Sequence, residues 1–226
     1  MGLAILNCRA QYGTEAPPVT IEVFLSGGLP VFNLVGMPET AVRESKDRVR
    51  SALLSSGFEF PQSRITVSLG PAEMRKTGGR FDLAVAVGIL AANREFPARK
   101  LVDVEICGEL ALDGSLRAVP GLLPSVIKAR DAERSVIVPE SNAAEAALAG
   151  AVVYPAASLR DVIDHLAGRS ALEPGATEDV SRPLPVLSDL IDVKGQQFAK
   201  RALEVAAAGC GRLLFWALPP GYEAHV

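Results

Sequence analysis

Apolar positions recur along the chain with two different periods, one typical of strands and one typical of helices. The change between these periods predicts a mixed α/β domain. Strict alternation of apolar and polar positions through residues 19–25 predicts a strand. A second apolar run at 31–35 follows Gly27-Gly28, so a β-hairpin is expected between the two runs. From 39 to 56 the apolar positions recur with a helical period, which predicts an amphipathic helix.

The same reasoning extends the pattern to residue 166. Residues 65–69 predict a strand, and a basic, glycine-containing loop follows at 74–80. Asp82 is expected to cap the apolar helix that follows it, at 84–92. The remaining predicted elements are a strand at 105–112 with its hairpin return at 116–119, helices at 122–132, 143–149 and 159–166, and strands at 136–138 and 152–154.

Composition divides the chain into a domain, a linker and a second segment. Residues 1–168 carry the α/β pattern and form the predicted amino-terminal domain. Residues 169–186 are rich in Pro, Ser, Glu and Gly, which is typical of a linker. A helical pattern resumes after the linker, so 187–226 is expected to start another module.

Net charge, cysteine content and the length of apolar runs indicate which partners and which cellular compartment to expect. The net charge is −3, so contact with nucleic acid would depend on a local basic patch. Three widely spaced cysteines favour a reducing compartment. The sequence shows no signal peptide and no apolar run long enough to span a bilayer, so a cytoplasmic protein without membrane contact is expected.

Three segments closely resemble the amino-terminal signature of the magnesium-chelatase-like AAA+ proteins, the ComM/YifB group. They are GMPETAVRESKDRVR at 36–50, RKTGGRFDL at 75–83 and GELALDGSLR at 108–117. The match runs in the expected order through nearly all of the first 168 residues. The resemblance implies that full-length relatives are hexameric ATPases that act on DNA, with branch migration during natural transformation as their role.

The amino-terminal domain also resembles the Lon protease domain, whose α/β (α+β two-layer) fold is shared with the second domain of ribosomal protein S five. A Lon-type dyad would need a serine near Phe81 and a lysine near Ser125, and neither is present. A Ser–Lys mechanism requires a hydroxyl beside an amine of lowered pKa. Proteolysis is therefore not expected.

The segment after the linker resembles the start of that family's AAA+ module. In such modules this opening segment flanks the adenine ring. The resemblance is carried by residues 192–196, followed by 199–204. The candidate adenine-side residues are Asp192, Val193, Gly195 and Gln196.

The last fourteen residues begin like the entry to a P-loop. An apolar run at 213–218 leads to Pro219-Pro220-Gly221, the candidate phosphate-loop residues. Lys and Ser or Thr should follow, but Ala224 and His225 occupy those places. Without the second glycine and the ammonium, the segment is interpreted as a degenerate, incomplete P-loop ATPase segment.

Two basic segments are candidates for contact with nucleic acid or a partner. Arg43, Lys46 and Arg50 share one face of the helix predicted at 39–56. Solvated ion pairs, Glu39 with Arg43 and Glu44 with Arg48, are the alternative interpretation of that face. The second candidate is the loop that contains Arg75, Lys76 and Arg80, which is equally consistent with an ordinary exposed loop.

Together these features predict a truncated magnesium-chelatase-like protein that is not an active motor. No catalytic residue, metal site or bound cofactor is expected for this chain, although full-length relatives use ATP and magnesium. One alternative is a binding or regulatory subunit that associates with DNA, with an intact paralogue or with itself. A Lon-like peptidase is the third and least favoured hypothesis.

Overall fold

The computed structural model describes residues 2–36, 39, 42, 44–175, 190 and 193–209. Contacts between residues divide the chain into two units, Met1–Val180 and Ser181–Val226. The first unit contains the sheet and the helices that pack on it. In the second unit, the described residues contain one helix, Gln197–Ala208.

Strands and helices of the first unit confirm the predicted α/β class. Seven strands in the described part of the chain form one mixed sheet in the order β3-β4-β2-β1-β5-β8-β9, and β6 and β7 form a separate hairpin. β2 pairs antiparallel with β1 and with β4, and the other neighbours in the large sheet are parallel. The strands are β1 (Gly2–Arg9), β2 (Pro18–Ser26), β3 (Val31–Val35), β4 (Arg64–Gly70), β5 (Val104–Ile106), β6 (Glu109–Leu110), β7 (Leu116–Arg117), β8 (Ser135–Pro139) and β9 (Val153–Ala156).

The helices follow the predicted order, with boundaries shifted by a few residues. They are α1 (Ser45–Ser55), α2 (Asp82–Ala92), α3 (Leu123–Asp131), α4 (Ala143–Ala147), α5 (Leu159–Ala167) and α6 (Gln197–Ala208), with 3₁₀ turns at Ala98–Leu101 and Glu140–Asn142. None of the helices in the described residues is long and apolar enough to cross a membrane.

The expected hairpin between 19–25 and 31–35 is wrong. β3 does not pair with β2, because β4 lies between them and pairs with both. β3 and β4 run parallel, with Phe32 opposite Ile65. A pairing between strands this far apart in the chain depends on long-range contacts, which the local alternation pattern does not contain.

Two other strand predictions need correction. Residues 2–9 form β1, which was not predicted, and β1 lies inside the sheet between β2 and β5. The strand predicted at 105–112 is two strands, β5 and β6, which belong to different sheets. Cys107 and Gly108 separate them and carry the chain from one sheet to the other.

Helix α2 is the centre of the hydrophobic core. All eleven of its residues are buried, and it packs on β1, β2 and α1. Gly88 faces the sheet, where an added Cβ would lie 2.6 Å from Val23 Cγ2 and 2.7 Å from Leu6 Cδ1. The glycine therefore sets how closely the helix approaches the two strands.

A buried ion pair joins β1 to β5 beside this core. Arg9 donates from Nε and Nη2 to the carboxylate of Glu105, at 2.7 and 2.8 Å, and from Nη1 to the carbonyl of Ala16 at 3.0 Å. The Glu105 carboxylate also accepts a bond from Arg134 at 3.4 Å. Both oxygens of this buried carboxylate accept hydrogen bonds from arginine, which is the condition under which a buried charge is tolerated.

Gly88→Ala is expected to destabilise the protein although alanine is the better helix former. The gain in helix propensity is about 1 kcal/mol, whereas overpacking a rigid core costs about 1–3 kcal/mol. Urea unfolding followed by circular dichroism should therefore show a net loss of stability. Gly27→Ala is the matched control, since nothing lies within 4 Å of its added Cβ. Equal stability of the two variants would contradict close packing at Gly88.

Candidate functional site

The three segments that carry the family resemblance, 36–50, 75–83 and 108–117, meet at one junction. The backbone N–H of Leu83 donates to the carbonyl of Gly108 at 3.0 Å. Gly108 in turn donates its N–H to a carbonyl of the second segment, also at 3.0 Å. The second and third segments are thus joined by paired main-chain hydrogen bonds at the start of α2.

Gly79 packs directly against Glu109 in this junction. A Cβ added at Gly79 would lie 2.5 Å from Glu109 Oε2. The other carboxylate oxygen of Glu109 is 3.8 Å from Nη1 of Arg117, an ion pair that is mostly exposed on the arginine side. A larger residue at position 79 would therefore fit only if the Glu109 side chain moved.

The first segment is attached to the second by Arg48 and Asp82. Arg48 Nε donates to one carboxylate oxygen of Asp82 at 2.6 Å, and Arg48 Nη2 donates to the other at 3.2 Å. The Asp82 side chain is only 1% exposed, and that of Arg48 is 21% exposed. This bidentate pair connects α1 to the first residue of α2.

The prediction that Asp82 caps its helix is wrong. The N-cap position is occupied by Phe81, and the N-cap makes no side-chain hydrogen bond to the helix. The carboxylate instead points toward Arg48 and accepts the backbone N–H of Leu110. Burial raises the pKa of Asp82 to about 6, although the hydrogen bonds from Arg48 favour the charged form.

Of the three cations in the 75–80 loop, only Arg75 is exposed. The Lys76 side chain is fully buried, and its Nζ donates to the carbonyl of Pro71. Burial lowers the pKa of Lys76. The carbonyl of Lys76 accepts the N–H of Glu39 at 3.2 Å, which ties the segment before α1 to the loop.

Arg80 is buried as well. Its Nη2 donates to Gln11 Oε1 at 2.7 Å and to the carbonyl of Pro120 at 2.9 Å. Its Nη1 is buried and has no hydrogen-bond partner among the described residues. Lys76 and Arg80 are therefore held inside the domain, and Arg75 alone presents the loop's charge to solvent.

Two cations of α1 lie over aromatic rings at its surface, and the four side chains are called the α1 ridge below. Lys46 Nζ is 5.9 Å from the ring centre of Phe32, and the Arg50 guanidinium carbon is 5.0 Å from that of Phe60. The two rings are 6.3 Å apart. Within the described part of the chain, neither Lys46 nor Arg50 forms a salt bridge. Arg43, the third predicted member of this face, lies outside the described residues.

The alternative of a Glu44–Arg48 ion pair along the helix is replaced by a longer-range contact. The bidentate partner of Arg48 is Asp82, and Glu44 contributes only a smaller charge effect that raises the pKa of Arg48. A carboxylate on another helix thus holds the cation nearest the core, while Lys46 and Arg50 face outward.

The nucleotide-site residues predicted after the linker are only partly described. Val193, Gly195 and Gln196 are exposed, and Gln196 has a φ of 52° immediately before α6. Four other candidates, Asp192, Pro219, Pro220 and Gly221, lie outside the described residues. The adenine-side and phosphate-loop assignments stay predictions.

The two positions aligned with a Lon dyad are buried in the core. Phe81 is 1% exposed, and Ser125, which is 4% exposed, has an Oγ without a hydrogen-bond partner among the described residues. In that same part of the chain, no group of three or more His, Cys, Asp or Glu side chains is arranged to hold a metal ion.

Sequence reasoning missed the Arg48–Asp82 pair and the rings of the α1 ridge. The helical pattern placed Arg48 near an acidic neighbour on its own helix, so a partner 34 residues away had no local signal. Phe32 was assigned to a strand and Phe60 to no element. Phe32 reaches Lys46 through the parallel pairing of β3 with β4, and Phe60 lies in the segment between α1 and β4, so neither contact had a local signal.

Asp82→Asn is expected to change how stability depends on pH. The folded-state pKa of about 6 lies above the unfolded value, so the wild type loses stability as pH rises from about 4 to 6. The variant lacks this loss, so its stability relative to wild type should rise by up to about 3 kcal/mol across that window. Urea unfolding at pH 4 and pH 7 measures the difference. Asp131→Asn, at an exposed carboxylate, is the control, and a pH-independent difference for Asp82→Asn would contradict the raised pKa.

Comparison with known proteins gives a family match over the middle of the first unit, from β2 to the 3₁₀ turn before α4. Residues 21–142 match the family model described as subunit ChlI of Mg-chelatase. This range contains all three segments of the junction, 36–50, 75–83 and 108–117, in full.

Individual relatives are similar over nearly the whole chain. The chain is 49% identical over 227 residues to competence protein ComM of Haemophilus influenzae, and 47% identical over 223 residues to the uncharacterized protein YifB of Escherichia coli. Each match covers 98% of this chain and 44% of the relative, so the chain spans less than half the length of these relatives. The chain belongs to the magnesium-chelatase-like family that includes the ComM and YifB proteins.

Proposed function

We propose that this chain is the amino-terminal part of a magnesium-chelatase-like AAA+ ATPase that acts on DNA, and that its α1 ridge contacts phosphates. Membership of the family supports the proposal that the chain is part of a magnesium-chelatase-like AAA+ ATPase. The Haemophilus influenzae relative is named a competence protein, which is consistent with work on DNA.

The observation that carries the DNA contact is the pair of cations on the α1 ridge. Lys46 and Arg50 are one helical turn apart and form no salt bridge with any described residue. Each lies over an aromatic ring, which restricts the side chain without neutralising its charge. Two ordered positive charges side by side, with no salt-bridge partner in the described part of the chain, favour the binding of a polyanion.

Other cations of the same region are unsuited to this role. Lys76 and Arg80 are buried and donate to carbonyl or amide oxygens of the domain itself. Arg48 is held by Asp82. Arg75 is exposed, on a loop that is tied to the segment before α1 by the hydrogen bond from Glu39 to Lys76.

Contact through these side chains would be independent of base sequence. Lysine and arginine side chains on a helix surface reach phosphate oxygens, and such contacts orient a protein without reading bases. The affinity should therefore depend strongly on salt and weakly on the sequence of the oligonucleotide. Such binding suits a protein that moves along DNA of any sequence.

The double variant Lys46→Gln/Arg50→Gln should weaken DNA binding. Fluorescence anisotropy with a labelled oligonucleotide at about 50 mM salt should show a loss of about tenfold or more, because two phosphate contacts disappear. The slope of log K against log salt concentration should become shallower by about 1.4–1.8 for two contacts. Single-stranded and duplex forms of the same sequence are measured in parallel.

Arg99→Gln/Lys100→Gln is the matched control. It removes one arginine and one lysine from an exposed 3₁₀ turn, so the change in net charge is the same. The control should retain the wild-type affinity within about twofold, as expected for charges outside the contact. An equal loss in both variants would mean that binding depends only on net charge, and no binding by the wild type would contradict the proposed DNA contact.

A further inference from the structure

The chain that follows α5 folds back onto the first unit. Gly168 ends α5 in the left-handed conformation, with a φ of 74°. The backbone N–H groups of Arg169 and Ser170 then donate to the carbonyl of Asp164, at 2.8 and 3.2 Å, and form a turn. Residues 171–175 come next and are called the strap below. Their composition is typical of a linker, yet hydrogen bonds attach them to the first unit.

Two hydrogen bonds hold the strap near the edge of the large sheet. The N–H of Leu172 donates to Nδ1 of His165 at 3.0 Å, and the N–H of Gly175 donates to the carbonyl of Val153 at 2.8 Å. Val153 begins β9, the last strand of that sheet. The Leu172 side chain also packs against the hydrophobic core. The strap thus covers part of a strand edge, where unpaired backbone groups would otherwise be available to another chain.

The hydrogen bond at His165 is the contact of the strap that changes with pH near neutrality. Nδ1 can accept the Leu172 N–H only when the ring is neutral and its proton lies on Nε2. Protonation places a hydrogen on Nδ1, so that a donor faces a donor and the bond is lost. The ring of Tyr154 packs against the imidazole, with 4.7 Å between the ring centres. The geometry therefore makes docking of the strap depend on a neutral histidine.

The surroundings of His165 favour this neutral form. The side chain is half-buried, and burial lowers the pKa of His165; the positive charge of Lys100, on the first 3₁₀ turn, lowers it as well. Asp161 accepts a hydrogen bond from Ser158, and Asp164 accepts one from Arg169, so both carboxylates of α5 are held by other partners. The remaining titratable groups on the elements around the ring are Tyr154 on β9 and Glu173 on the strap.

The direction of the pH dependence follows from the lowered pKa. With the strap released, His165 is expected to regain an ordinary pKa of about 6.5, so the released form binds more protons than the docked form. Docking is therefore fully favourable above about pH 6.5. Below that value it weakens by up to about tenfold for each pH unit, until the docked form is protonated as well.

We propose that His165 is a pH-dependent latch: its neutral ring holds the strap against β9, and its protonation releases residues 171–175 from the first unit. Release frees up to about 17 Å of chain ahead of the second unit. It also uncovers the carbonyl of Val153 at the edge of the sheet. The length of free chain that precedes the second unit then depends on pH.

The test measures backbone order by ¹⁵N relaxation on the full labelled chain as the pH is lowered from about 7.5 to about 5. At the upper pH, the order parameters of Leu172 and Gly175 should be about 0.85, as in a rigid backbone, and at the lower pH they should fall below about 0.6. The midpoint should coincide with the pKa of His165, measured in the same samples from its Cε1 proton. His225 is the other histidine of the sequence, and its titration serves as an internal reference.

Two substitutions at position 165 separate the acceptor from the ring. His165→Asn keeps an acceptor oxygen at the position of Nδ1 but does not titrate, so its strap should be ordered at both pH values. His165→Phe keeps a ring against Tyr154 but has no acceptor, so its strap should be mobile at both. Lys100→Met removes the nearby positive charge and should move the midpoint to higher pH. His225→Asn is the matched control and should retain the wild-type response.

Three results would overturn the latch. The wild-type strap could stay ordered after His165 has titrated, which would mean that its docking does not need the neutral ring. The strap of His165→Phe could be ordered at pH 7.5, which would make the Nδ1 acceptor dispensable. His165→Asn could keep the wild-type pH response, which would assign the switch to another group. Circular dichroism identifies the folded variants, and the wild-type and Asn titrations decide the question if the Phe variant does not fold.

Discussion

The burial of α2 is the constraint on which the rest of the first unit depends. All eleven residues of Asp82–Ala92 are buried, so no face of this helix is left for water. Its sides are covered by β1, β2 and α1. Gly88 allows the helix to lie close to the two strands, and the charge at its first residue must be matched inside the protein. A helix that is apolar all round can form only if several distant segments assemble around it.

The same assembly brings buried charged side chains together in pairs. Asp82, at the first residue of the buried helix, is paired with Arg48, and Glu105 at the neighbouring β5 strand is paired with Arg9. In each case both carboxylate oxygens accept a hydrogen bond, so neither charge is left unsolvated. Arg80 departs from this rule, because one of its donors is buried without a partner in the described residues.

The local pattern of apolar and polar residues predicted most of the helices and strands. It failed where segments that are distant in the sequence pack together. The alternation at 19–25 and the helical period after 39 identified β2 and α1, because each element buries one face. The position of β3 beside β4 was beyond such reasoning, since nothing in 31–35 distinguishes a hairpin with β2 from a parallel pair with β4. The same limit applies to the site: Lys46 and Arg50 were identified by helical spacing, but the rings beneath them depend on that strand order.

The junction explains why three short segments suffice to indicate the family. Arg48 and Asp82 join two of the three segments through a bidentate ion pair, and Gly79 of the second segment packs against Glu109 of the third. The planar guanidinium of Arg48 matches the two oxygens of the Asp82 carboxylate, and a side chain at Gly79 would have to displace the side chain of Glu109. The glycine-rich, basic sequence at 75–80 therefore describes tertiary packing more than an anion-binding loop. The positive charges of Lys46 and Arg50, on the outer face of α1, take no part in this packing. They are therefore the charges that can bind a partner.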